Sequence, residues 1–116
     1  MKDVISFPDW EKVDVRTGTI VEASAPEWSN KLIELHVDFG PEIGERTIFT
    51  GMRKWYGPDH FAGKQALFIV NLAPRKMGEK ESQGMILSLD TLDSDGNSHP
   101  HVIMFESAFP PGTPVS

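Results

Sequence analysis

In KLIELHVDFG, Ile33, Leu35, Val37 and Phe39 alternate with Leu32, Glu34, His36 and Asp38. A period of two over that length suits a strand with one buried face and leaves little else. Short runs of this kind recur along the chain, each cut off by glycine or proline. KVDVRTGTIVEAS sets Val13, Val15, Thr17 and Thr19 against Asp14, Arg16 and Gly18 until the pattern shifts at Ile20-Val21; Gly18 reads as a bend or bulge. RTIFTGM is rich in β-branched residues, a third strand. KQALFIVNLA is nearly all apolar, as in a strand buried on both faces or closed into a barrel. GMILSLDTL reads as the fifth. Between the third and fourth, RKWYGPDHFAGK offers Asp59 as an N-cap and Trp55, Tyr56 and Phe61 as anchors, which predicts a short helix or helical turn over one barrel end. Five strands with a short helix between the third and fourth describe the OB-fold, an all-β Greek-key barrel.

Beyond Leu92 the texture changes. DSDGNSH carries Asp95-Gly96, a hairpin turn signal. HVIMFE reads as a further short strand, and SAFPPGTPVS is too rich in proline for regular helix. With 116 residues and no internal repeat, the expectation is one domain over 1–116. Its barrel core would span about 10–92 and a C-terminal extension about 93–116. The chain has no cysteine, which excludes a disulfide framework and a thiolate zinc site. The opening MKDVISFPDWEK has acids where a signal peptide needs an apolar stretch, and no apolar run nears the roughly 20 residues that cross a bilayer. The expectation is a soluble, cytoplasmic protein without membrane insertion.

Catalytic signatures are missing. There is no GxxxxGK[ST] phosphate loop, no HExxH and no GxSxG. His36, His60, His99 and His101 have no nucleophile or base at informative spacing, and His36 reads as a surface residue. His99 and His101 would share a strand face, but no third ligand is fixed nearby and zinc needs three or four. Asp93, Asp95 and Asn97 begin like a calcium loop. The EF-hand places for glycine and the bidentate acid hold Ser98 and Met104 instead, so a turn is the better reading. No enzyme and no cofactor are expected.

The net charge of −6 argues against a general nucleic-acid coat. Yet NLAPRKMGEKESQGMILSL joins two apolar runs through Arg75, Lys76 and Lys80. Asn30 and Lys31 enter the second strand, and Arg53 and Lys54 follow the third beside Trp55 and Tyr56. Salt limits the reach of distant charge to roughly 10 Å, so a local patch can act against the global sign. These cations recur at strand ends that a closed barrel could bring to one rim, although barrel ends alternate. Trp55 and Tyr56 stack on a base or plug the barrel mouth, with the plug favoured for at least one. Trp10 fits packing in the N-terminal segment and Trp28 lies in a loop; neither carries a signal. Gly84 beside Ser82 permits close approach of a ligand, and the Met85 thioether suits a flat ring. Equally, Gly84 starts a strand and Met85 is core.

Four blocks, SFPDWEKVDVRTGTIVEA, NKLIELHVDFG, TGMRKWYGPDHFAGKQALFIVNLAPRKM and ESQGMILSL, resemble the tRNA-binding OB domain. That domain ends many methionyl-tRNA synthetases and occurs in the polypeptide related to endothelial monocyte-activating cytokine. It also forms stand-alone tRNA-binding proteins and the CsaA secretion chaperones. The resemblance covers about 7–89, and the tail is similar to the extension of the stand-alone members. It implies a homodimer built by the terminal extensions, shape-led binding of tRNA, and no catalysis. On this chain it points to Asn30, Lys31, Arg53, Lys54, Arg75, Lys76, Ser82 and Met85, with Lys80 replacing a cation lost where Gly78-Glu79-Lys80 stands for the usual Arg-Gly. Thr17 stands where the family has an apolar residue, and Asn30 where Asp is usual. An aminoacyl-tRNA synthetase is the further partner implied. The CsaA branch implies instead unfolded preprotein segments, with an exposed apolar groove near Phe39, Phe49 and Met52 as its mark.

Overall fold

The computed structural model describes residues 1–105 and 107–116. Strands β1 (Val15–Ser24), β2 (Ile33–Asp38), β3 (Glu45–Thr50), β4 (Gln65–Ile69) and β7 (Met85–Ile86) form one antiparallel sheet in the order β3-β2-β1-β4-β7. It curls into the expected five-stranded OB-type barrel. The alternation in β2 places Ile33, Leu35 and Val37 inside, where they meet Ile20, Ile48 and Phe68. Phe39 packs edge-on to Phe68, with ring centroids 5.2 Å apart.

Strand β1 serves both halves of the barrel. Its first residues pair with β4 and its last with β2, and the register slips between Ile20 and Glu22. The bulge therefore falls at Val21, where the sequence pattern shifts, and not at Gly18. Gly18 has a different task. A Cβ there would lie 2.5 Å from Val37, 2.7 Å from Phe39 and 2.9 Å from Phe68, so only hydrogen lets the core close over β1. Val13 precedes the strand and is exposed.

The barrel is closed between β3 and the chain at Ser82-Gln83, just before β7, by hydrogen bonds rather than by a full ladder. The Ser82 hydroxyl accepts the Phe49 N–H at 3.0 Å. Gln83 N–H donates to the Thr47 carbonyl at 2.9 Å, and Thr47 N–H returns to Gln83 Oε1 at 3.0 Å. Arg46 donates to the carbonyls of Val70 and Gln83.

Four local readings need correction. The basic segment is not a loop but a hairpin, β5 (Arg75–Met77) with β6 (Lys80–Ser82). GMILSLDTL is not one strand. Its first part stays in the barrel as β7, while β8 (Ser88–Leu92) leaves and pairs with β9 (Ser98–Val102). Sheet potential alone cannot show where a strand changes partner. Of HVIMFE, His101 and Val102 belong to β9 and Met104 makes a lone bridge to Ala66, while Glu106 lies outside the described residues. The helical turn expected between β3 and β4 forms as a 3-10 turn, Pro58–His60, but its N-cap is Gly57 and Asp59 lies inside it.

Two further short helices are α1 (Phe7–Glu11), capped by the Ser6 hydroxyl, and α2 (Gly40–Ile43). The Asp95-Gly96 turn forms as expected. The Asp93 carboxylate accepts the N–H groups of Asp95 and Asn97, each at 2.9 Å, and the bond from Asn97 in particular holds it below the usual aspartate range. The proline-rich tail runs back along β1 where β2 does not reach. Thr17 N–H donates to the Thr113 carbonyl at 2.9 Å and Gly112 N–H to the Thr17 carbonyl at 2.8 Å. The buried Thr17 hydroxyl donates to the Pro110 carbonyl at 3.1 Å and accepts the Thr113 N–H at 3.0 Å. A threonine at this otherwise apolar position is thus the anchor of the tail. Among the described residues no helix is long and apolar enough to cross a membrane.

Candidate nucleic-acid interface

The β5–β6 hairpin folds over the edge of β3, and its pairing sorts the cations. Arg75 faces Ser82, Lys76 faces Glu81 and Met77 faces Lys80 across the hairpin. Side chains alternate along a strand, so Arg75 and Met77 share one face with Lys80 and Ser82, while Lys76 and Glu81 share the other. The first face closes a groove of about 370 Å³ lined by Phe49, Leu72, Arg75, Met77, Ser82 and Met85 among others. Arg75 and Lys76 are exposed and form no ion pair among the described residues.

A second group lies around the β1–β2 loop. Lys31 and Asn30 are exposed. Arg53 reaches back to this loop, donating to the Pro26 carbonyl at 2.8 Å and to the Ser29 carbonyl. At the hairpin tip, Trp28 lies over Gly78. Lys80 donates to the Glu34 carboxylate at 2.9 Å, and His36 Nε2 meets the same oxygen at 2.6 Å. Glu34 is buried, which alone would raise its pKa; the bonds from His36 and Lys80 outweigh this and hold the carboxyl below the usual glutamate range. The two groups adjoin at Phe49, which lines the groove and meets Trp28 edge-on at 5.7 Å.

The expected residues therefore divide. Arg75 lines the groove with Phe49, Lys80 lies on the same hairpin, and Arg53 is bonded into the loop that carries Asn30 and Lys31. Ser82 is buried with its hydroxyl committed to Phe49 and to the Gly84 carbonyl, which makes it a structural fastening. Met85 is half exposed and borders the groove. Lys76 points off the opposite hairpin face. Lys54 lies with its ammonium 5.4 Å from the Trp55 ring, within the range of a cation–π contact, and its charge is felt at Asp93 rather than in the groove.

Trp55 and Tyr56 are packed against the core. The Tyr56 hydroxyl donates to the Pro100 carbonyl at 2.7 Å, and its ring stacks on His60 at 3.9 Å. Burial, and then Lys64, push the His60 pKa down. The plug reading holds for Tyr56. His99 and His101 stack on each other at 4.7 Å. Among the described residues no cluster of three His, Asp or Glu side chains is placed to hold a metal. Phe39 and Met52 are core residues, so the apolar groove is built instead from Phe49, Leu72, Met77 and Met85. Trp28, which carries no signal in the sequence beyond its place in the loop two positions before Asn30, packs at this junction.

A cationic hairpin and loop flanking an apolar groove on an OB-type barrel suit the edge on which such barrels take nucleic acid. Residues 15–114 match the family model of the tRNA binding domain. The chain belongs to that family. Relatives in the tRNA binding domain family include methionine–tRNA ligases. That of Porphyromonas gingivalis is 42% identical over 111 residues, 96% of this chain. That of Methanococcoides burtonii is 44% identical over 94 residues, 80% of this chain. The chain spans only 15% and 14% of the length of these two relatives. Among solved structures, it is similar to the MetRS related protein of Pyrococcus horikoshii, with a TM-score of 0.84, 32% identity, and coverage of 99% of this chain and 100% of that one. It is also similar to chaperone CsaA of Bacillus anthracis, with a TM-score of 0.80, 26% identity, and coverage of 98% and 100%.

Proposed function

We propose that this chain is a non-catalytic, structure-specific tRNA-binding protein that acts as a homodimer in the cytoplasm and assists an aminoacyl-tRNA synthetase. The observation that carries the reading is an exposed Arg75 lining an apolar groove, with Lys80 on the same hairpin and Lys31 on the adjoining loop, in a member of the tRNA binding domain family. Phosphates supply the affinity of such a surface and shape supplies its selectivity. Binding of unfractionated tRNA by wild type and by the double variant R75E/K76E tests it. The variant should fold normally and bind markedly less; equal binding removes both residues from the site.

The dimer has its own support. The accessible surface of 7741 Å² exceeds the roughly 6,300 Å² of a compact monomer of this size. Apolar residues near the two termini add to it: Phe7, Trp10, Val13 and Val115 are exposed around one hollow of about 270 Å³. Leu89 and Leu92 on β8 are exposed as well. A second copy would cover such surfaces.

A second reading, a CsaA-type export chaperone for unfolded preproteins, draws on the likeness to CsaA over nearly the whole chain and on the apolar lining of the groove. It predicts suppression of client aggregation without tRNA affinity.

A further inference from the structure

Trp28 is the aromatic residue to which the proposed function gives no task, yet its position is built. Ser29 N–H donates to the Pro26 carbonyl at 3.3 Å. The Ser29 hydroxyl accepts the N–H groups of Lys31 and Leu32 at 3.2 and 3.3 Å. Arg53 binds the carbonyls of Pro26 and Ser29, the two residues bracketing Glu27-Trp28, and its own N–H donates to the Lys31 carbonyl at 3.2 Å. The indole then rests on Phe49 from one side and on Gly78 from another. Gly78 has a φ of +63°, and a Cβ there would lie 3.2 Å from the indole carbons, so glycine is what lets the hairpin tip approach. Despite these supports Trp28 is 53% exposed. Beside it opens a cleft of about 520 Å³ lined by Trp28, Gly78, Glu79 and Lys80, a size that takes a small planar ligand.

We infer that Trp28 is a stacking platform for an unpaired base of the RNA ligand, and that Arg53 is the positioning residue that holds it. The inference rests on the tRNA-binding reading. Every base offers a π-face to an indole. Lys31 closes the loop that carries Trp28 and Lys80 borders the cleft, so cations stand ready for the flanking phosphates. An apolar peptide side chain would have no use for them. Arg53 differs from the cations named with it in the sequence: its guanidinium is turned onto backbone carbonyls, so it acts through Trp28 rather than on phosphate.

The test compares tRNA affinity of wild type, W28A, W28F and R53A over a range of salt. Loss of a stacked base weakens binding about 5- to 150-fold. W28A should show that loss with the slope of log affinity against log salt unchanged, because stacking releases no counterions. W28F should fall between, which separates stacking from misfolding. R53A should also weaken binding at constant slope. In a W10F/W55F background, tRNA should quench Trp28 emission and shield it from acrylamide. If wild type binds tRNA and W28A binds equally well, the platform is wrong and the tRNA reading stands. If wild type binds no tRNA, both fall. If W28A loses capture of an unfolded probe, reduced carboxymethylated α-lactalbumin, while keeping its tRNA affinity, the cleft belongs to peptide and the inference is overturned. A shallower salt slope in R53A would make Arg53 a phosphate contact and overturn its positioning role.

Discussion

Lys80 Nζ lies 2.9 Å from the carboxylate of Glu34, a β2 side chain that the strand's alternation would turn outward and that the hairpin covers. The contact ties the tip of the β5–β6 hairpin to the barrel wall. With His36 on the same oxygen, it holds the buried Glu34 charge in place.

This contact gives a pH dependence of stability. Burial raises the Glu34 pKa, but the bonds from His36 and Lys80 prevail and the folded value lies below 4.5. As pH falls, the unfolded chain takes up this proton first. The contribution is complete above about pH 4.5 and disappears as pH drops through the folded value. E34Q should cost about 1–2 kcal/mol at neutral pH, with the share from half-exposed Lys80 reduced by solvent. Urea titrations should show the gap from wild type narrowing as pH falls below about 4.5.

Ser82 joins β6 to β3 through the Phe49 N–H, not through a ligand. S82A leaves that buried donor without its acceptor and should lower stability by about 1–3 kcal/mol. Its tRNA affinity at temperatures where it is fully folded should match wild type. A specific loss of binding without loss of stability would return Ser82 to the site.

Gly18 is enclosed by Val37, Phe39 and Phe68. G18A forces a methyl group into that space and should destabilise by about 1–3 kcal/mol. A thermal melt reads this directly, and an unchanged midpoint would mean that the core yields more readily than its packing implies.

The exposed Phe7, Trp10 and Val115 make the terminal segments the place where two copies would meet. Light scattering should give twice the chain mass at micromolar concentration. F7D/W10D should shift the equilibrium towards monomer while far-ultraviolet dichroism keeps its barrel signature.

The barrel was legible in the sequence because its signals are local. Period-two alternation in β2 and the nearly unbroken apolar β4 each specify a strand within one short window, and Asp95-Gly96 specifies its own turn. What escaped depends on distant partners. Nothing within Gly84–Leu92 announces that β7 stays with β4 while β8 departs to β9. Glu34 reads as an outward residue until Lys80, 46 positions away, comes to cover it. Arg53 and Arg75 look alike as isolated cations, but only the folded β1–β2 loop shows that Arg53 binds carbonyls. Trp28 carried no periodic pattern at all, and its significance arises from Gly78 and Phe49.

The central claim is that cations drawn from separate segments meet one RNA backbone. The most direct test is the equilibrium affinity of the wild-type protein for tRNA, measured as salt rises from about 50 to 200 mM. The account predicts tight binding at the low end and a linear fall of log affinity with log salt, with a slope of about −0.7 to −0.9 for each phosphate engaged. No binding at the lowest salt, or an affinity indifferent to salt, would contradict it.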